Sequence, residues 1–308
     1  MNDDKALRLT RISRNVVDLS RSVGFYRERL GFKEHGDSHP MDPEMIGLLQ
    51  LPNHTFNTQR MTLGAQEIEL VEVGPDTRAY PVNSTSADLW FQHFAIRHTE
   101  IDAACERLFR ADSAAPRPAA ISRSINGIAE AISLPQRSGG AKALKFRDMD
   151  GHPLELLALP RDDESGPHNT DGIDHSAISV SDPEKSIAFY RDILGMTVSA
   201  RQINSGEEQC RLDALSEDIV EVIALRPSTE PKPHVELLAY RSPIGRALEF
   251  PYRTDDIASD KLFFSVSHLD DILASSAVKP YLVNVSAQQH FALFHDPDGH
   301  LLVLSSLI

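Results

Sequence analysis

Only two of the 308 residues are cysteine, Cys105 and Cys210, too few for a disulfide scaffold or a cysteine-ligated zinc site. No run approaches the roughly 18 consecutive apolar residues of a transmembrane helix, so no helical membrane span is expected. Positive charge is also scarce: 31 Lys and Arg against 45 Asp and Glu leave a net charge of −14. That balance argues against a nucleic-acid backbone or an anionic membrane as partner, because both select clustered positive charge. The first residues, Met1 to Lys5, are polar and lack the apolar core of a signal peptide, which makes a cytoplasmic location the expectation. What remains is an ordinary soluble composition, 41% hydrophobic and 25% charged, long enough for two domains of roughly 150 residues each.

The chain repeats itself. Asp18, Phe25, Tyr26, Arg27, Leu30 and Gly31 recur as Asp182, Phe189, Tyr190, Arg191, Leu194 and Gly195, an offset of 164 from Asp18 to Asp182. A second pair closes each half: Phe146-Arg-Asp148-Met-Asp150-Gly151-His152 against Phe294-His-Asp296-Pro-Asp298-Gly299-His300. The division is a first domain over 1–160, a polar linker over 161–172 and a second domain over 173–308. In each half an opening strand (12–17 or 175–180) leads to an aspartate that caps a helix (20–30 or 183–194), which a glycine stops. Strands follow over 60–63, 67–73, 219–225 and 234–240, and new strand–helix pairs begin at 92 and 262. Each half is thus two βαβββ units, four in all, an α+β fold.

The FYR…LG helix, the Asp-x-Asp-Gly-His ending and the four-unit repeat together resemble the vicinal oxygen chelate superfamily, which includes glyoxalase I, extradiol dioxygenases and bleomycin-resistance proteins. The resemblance implies two domains with curved mixed sheets, and one ligand position on the first and last strand of each unit. Those positions hold Arg11 and Glu69 in unit one, His93 and Glu155 in unit two, His175 and Glu236 in unit three, and Lys261 and Val303 in unit four. Pairing by sequence half leaves two broken sets. Pairing unit two with unit three gives His93, Glu155, His175 and Glu236, a complete set with matching spacings. It leaves Arg11, Glu69, Lys261 and Val303 as a failed one.

Independently of the family, Glu155 and Glu236 interrupt apolar strands, and alternation points them away from the leucines and valine on either side. A buried carboxylate there requires a metal, a cation or a polar partner. Two imidazoles and two carboxylates suit one divalent ion among Zn, Ni, Co, Mn and Fe(II). In the failed set, Glu69 is expected to pair with Arg11, joined by Lys261. The Asp-Gly-His segments read as turns, Phe25 and Tyr26 as core, and His98, His268 and His295 as structural.

Three functions follow from the resemblance. The first is a glyoxalase-like lyase or isomerase for a small substrate with vicinal oxygens, in which Glu155 and Glu236 are the catalytic carboxylates. The second is an extradiol-type Fe(II) dioxygenase, for which His234 and Tyr240 are the available accessory residues. The third is a binding protein without turnover. The long segment 114–140, with Arg117, Arg123 and Arg137, is either a lid over an anionic or oxygen-rich substrate or a surface loop.

Overall fold

The structure, a computed structural model, describes residues 6–52, 55–74, 76–123, 129–160, 171–230, 232–247, 253–288 and 290–306. Most of the expected linker, residues 161–170, lies outside them.

Unit one runs β1 (Leu7–Val16), α1 (Leu19–Leu30), β2 (Lys33–Pro40), α2 (Pro43–Leu48), β3 (Asn57–Leu63) and β4 (Gln66–Glu72). Unit two runs β5 (Gln92–Arg97), α3 (Ile101–Phe109), β6 (Ala119–Ala120), β7 (Ile132–Ser133), β8 (Lys142–Arg147) and β9 (Pro153–Ala158). Unit three holds β10 (Gly172–Ser179), α4 (Pro183–Ala188), β11 (Thr197–Ser205), α5 (Glu207–Asp213), β12 (Ile219–Arg226) and β13 (His234–Ser242). Unit four ends the chain with β14 (Lys261–Val266), α6 (Leu269–Ala274), β15 (Leu282–Val285), β16 (Phe291–His295) and β17 (Leu301–Ser306).

Hydrogen bonding crosses the sequence halves. Units four and one form an eight-stranded sheet, β15-β16-β17-β14-β1-β4-β3-β2. Units three and two form the other, whose main order is β11-β12-β13-β10-β5-β9-β8-β6. Each is joined at its middle by an antiparallel pair, β1 with β14 and β10 with β5.

The repeated motifs are a structural staple. The Asp18 side chain accepts from the Arg21 amide at the start of α1, and Gly31, at φ 80°, ends the helix where a side chain would be strained. In the second half Asp182 caps α4, and the helix continues as a π turn over Phe189–Ile193 instead of the unbroken helix expected. Phe25 and Tyr26 are core, as are Phe189 and Tyr190. The tyrosine hydroxyls reach back to the second motif: Tyr26 donates to Asp148 at 3.1 Å and Tyr190 to Asp296 at 3.2 Å. Asp148 and Asp296 also accept amides of their own turns, at Asp150, His152, Asp298 and His300, so these segments are turns.

One large core cluster draws on the helices and on one face of both sheets, including Ile68, Leu70, Leu154, Leu156, Val235 and Leu237. The opposite face of the eight-stranded sheet has its own apolar cluster, with Met45, Val71, Trp90, Phe263, Leu293 and Val303. Edge strand β2 was not foreseen because all eight of its residues are exposed and carry no apolar alternation. Helices α2 and α5, of six and seven residues, are too short to show a helical period.

Candidate metal centre

The four central strands of the nine-stranded sheet, β13, β10, β5 and β9, carry the four sequence-predicted ligands. Antiparallel pairing sets Ala177 opposite His93 and His175 opposite Ala95. Parallel pairing sets Ala177 opposite Glu236 and Ala95 opposite Glu155. Each of the four thus has an alanine methyl group as one cross-strand neighbour, and the space above Ala95 and Ala177 is left to the four long side chains.

Within that space His93 Nε2 lies 3.0 Å from Glu155 Oε2, and His175 Nε2 lies 3.6 Å from Glu236 Oε2. The two imidazole centroids are 5.9 Å apart. Donor atoms of His93, Glu155 and His175 all lie within 4.8 Å of one another. Glu236 adjoins that trio through His175. It is also the most open of the four, its side chain 21% exposed against 2% for His93.

Sequence reading missed what holds His175. Its Nδ1 contacts Asp174 Oδ2 at 3.2 Å, which aims Nε2 into the cluster. Strict alternation would send Asp174 to the opposite face. A register irregularity between Ile173 and His175 turns the two side chains together, and nothing in the residue pattern announces it. Asp174 is itself paired with Lys232. His234, foreseen as an accessory residue, approaches Glu236 Oε1 at 3.3 Å and makes a second compact group with Asp174 and His175.

Electrostatics divides the imidazoles. Burial, with help from the Lys145 ammonium, pushes His93 down to about 4 against the pull of Glu155, so its lone pair is free at neutral pH. Burial also opposes a charge on His175, but Glu236 and Asp174 outweigh it and raise that group to about 9. Burial opposes the charge on Glu236 as well, yet His175 and His234 hold its carboxyl down to about 2. Two imidazole nitrogens and two carboxylates at these separations fit a divalent ion of borderline softness. Binding such an ion would replace the proton on His175.

A buried cation stands beside the cluster. Lys145 lies across from Glu155 in the β8–β9 pair and bonds to Asp213 at the end of α5. That helix end is fastened by Ser122 Oγ donating to Leu212 O at 2.9 Å and Arg123 donating to Ala214 O at 2.6 Å. The three arginines of segment 114–140 are spent on backbone carbonyls: Arg117 on Phe109, Arg123 on Ala214, and Arg137 on Ser205. In its described part that segment is a set of straps, two of them tying unit two to unit three; residues 124–128 lie outside the described residues. Tyr240 is partly buried against Ala177 and Val220, away from hydrogen-bonding reach of the four predicted ligands among the described residues.

The matching place in the eight-stranded sheet holds the failed set. Ser13 faces both Lys261 and Glu69, and Phe263 faces both Arg11 and Val303. The Arg11–Glu69 contact is present, Nε to Oε2 at 3.5 Å, as a single-atom pair, and Arg60 adds a second cation at 3.6 Å. Lys261 does not join it. Its ammonium donates to Asn15 Oδ1 at 3.1 Å and to Ser259 O at 3.0 Å.

The family model for the Glyoxalase/Bleomycin resistance protein/Dioxygenase superfamily matches residues 8–156 and 172–304. Glyoxalase I from Zea mays is similar in fold at 17% identity and TM-score 0.62, over 98% of this chain and 93% of that one. A putative dioxygenase from Bacillus subtilis is similar at 12% identity and TM-score 0.58, over 98% and 86%. No curated protein sequence matches. At these identities the solved structures speak for the fold, while the family match spans both repeats. The chain belongs to the Glyoxalase/Bleomycin resistance protein/Dioxygenase superfamily.

Proposed function

We propose that the protein is a metal-dependent lyase or isomerase of the glyoxalase kind, with sequence halves 1–160 and 173–308 as its domains and one divalent ion held by His93, Glu155, His175 and Glu236. The observation that carries this reading is the flanking of two facing imidazoles by a carboxylate on each outer strand. When bound, the ion supplies polarisation of neighbouring substrate oxygens and acidifies the adjoining C–H. Glu155, buried and tied to His93, anchors the site. Glu236 is the more open carboxylate, so it takes the proton next to the substrate carbonyl and returns it to the neighbouring carbon. Asp174 holds the His175 ring so that its Nε2 stays directed inward. The substrate class is a small molecule with vicinal oxygens.

A second reading, extradiol-type ring cleavage with Fe(II), is favoured by one feature, the His234 imidazole beside Glu236. Elemental analysis of the purified protein, followed by assays of a 2-oxoaldehyde with and without a thiol and of a catechol with oxygen uptake, separates the two. Zn or Ni with 2-oxoaldehyde turnover supports the isomerase. Fe with oxygen uptake supports ring cleavage and removes the first reading.

A further inference from the structure

The metal centre is walled unevenly. On the Glu155 side it is roofed: Lys145, across from Glu155, bonds to Asp213 of α5, and Leu212 and Ile132 pack with Ala95, Ala143 and Leu157. The side chains of His93, Glu155 and His175 are accordingly closed off, at 2%, 9% and 6% exposed. Glu236, at 21%, stands at the edge of the covered part, and the strands beyond it are β12 and the edge strand β11.

Strand register gives the residues on that open side. Glu236 lies opposite Ala224 of β12, and Ala224 lies opposite Ala200 of β11. On the inner side Glu236 lies opposite Ala177, and Ala177 opposite His93. Three alanines thus share one line across the sheet with Glu236 and His93, and none of them rises above the backbone by more than a methyl group. The next line holds Gln202, Val222 and Leu238. Ala224, Val222 and Gln202 are partly buried and Ala200 is exposed. The result is a shallow, uncharged trough that runs from solvent to the ligand cluster. Alternation puts Arg226 next on this face, at the exposed end of β12.

We propose that Ala200, Ala224 and Val222 form the subsite for the body of the substrate, and that this body is neutral and apolar. The vicinal oxygens enter past Glu236 to the position of the ion, and the rest of the molecule lies back over the two alanines. Methyl groups reward burial of an apolar body, whereas a charged one would lose hydration there without gaining a partner. Ala224 is then a specificity-determining residue, because side-chain length at that position decides which bodies fit. The inference rests on the metal-centre reading but not on the choice between isomerase and ring cleavage, since both act on vicinal oxygens.

Hydroxamates present two vicinal oxygens to an ion, and Co(II) loaded into the full-length protein reports their chelation by its visible absorption. Acetohydroxamate and benzohydroxamate differ only in the body, a methyl group against a phenyl ring. Both should give a saturable spectral change with the wild type, benzohydroxamate at the lower concentration. Ala224→Leu should weaken benzohydroxamate at least about tenfold and acetohydroxamate less than about twofold, the second result showing that the variant is folded and its ion in place. Equal weakening of the two, unchanged benzohydroxamate binding, or no spectral response to either would overturn the proposal and leave the metal centre standing. No cobalt uptake by the wild type, or uptake that persists in His93→Ala, would remove the metal-centre reading and the subsite with it.

Discussion

At matching places the two sheets differ first in their smallest residues. The nine-stranded sheet sets Ala95 and Ala177 between its ligand positions, and four long polar side chains share the space above them. The eight-stranded sheet sets Phe263 where Ala95 stands, with the Arg11 guanidinium carbon 3.7 Å from the centre of its ring. A cation stacked on an aromatic face fills the volume that a metal and its ligands need. Retaining Glu69 did not retain a site; room and imidazoles had to be retained with it. What such a sheet keeps is a buried charge to neutralise, and it does so with Arg11 and Arg60.

The sharpest way to break this comparison is to remove one carboxylate from each sheet. Glu155→Ala should abolish metal retention and lower activity by a factor of about 10³ or more, read by elemental analysis and turnover. Glu69→Gln should leave metal content at the wild-type value. Retention of metal by Glu155→Ala together with its loss in Glu69→Gln would invert the two assignments.

A second test lies in the pH dependence of stability. Burial lowers the Lys261 ammonium from its ordinary 10.5 to about 8, so between those values the unfolded chain holds a proton that the folded chain has released. The unfolded state then binds more protons, and stability rises with pH across that window. The penalty is fully present below about pH 8 and is relieved by about pH 10.5. Its size is about 3 kcal/mol, and the difference between wild type and Lys261→Met in denaturant unfolding at pH 7 and pH 10 isolates it. A wild-type slope that persists in Lys261→Met would show that this charge is not under strain.

Smaller effects sharpen the picture. Asp174→Asn keeps the shape but weakens the acceptor behind His175, so metal affinity should fall by about 10- to 100-fold with the fold intact. A competition titration against a chromophoric chelator measures it. Glu69→Gln leaves Arg11 without its paired carboxylate, while Arg60 keeps Glu67 at 3.6 Å. Because Arg60 is 40% exposed and Arg11 16%, the loss should be about 1–2 kcal/mol, below the cost of breaking a fully buried pair. Equilibrium unfolding in urea gives the value.

Much of the site was legible because it rests on alternation and spacing. Glu155 lies between Leu154 and Leu156, and those leucines are in the main core while the carboxylate faces away from it. The same holds for Glu236 between Val235 and Leu237. The pairing of unit two with unit three could be reasoned from the ligand inventory, since that combination alone completes a set. Asp174 was hidden, because its approach to His175 depends on an irregularity in strand pairing that residue types do not encode. Nothing in the residue pattern marks Lys145, because the Asp213 that answers its charge lies 68 positions later.

Residue order alone specifies the repeat, the helix caps, the turns and which side chains leave each strand on the polar face. Those depend on neighbours a few residues apart and on the two-residue period of a strand. Tertiary structure decided which cations answer which carboxylates, because that is set by distance across strands and not along the chain. Lys261 shows the difference. Its charge is written in the sequence, but its isolation follows from Asp260, one residue away, turning instead to Arg14.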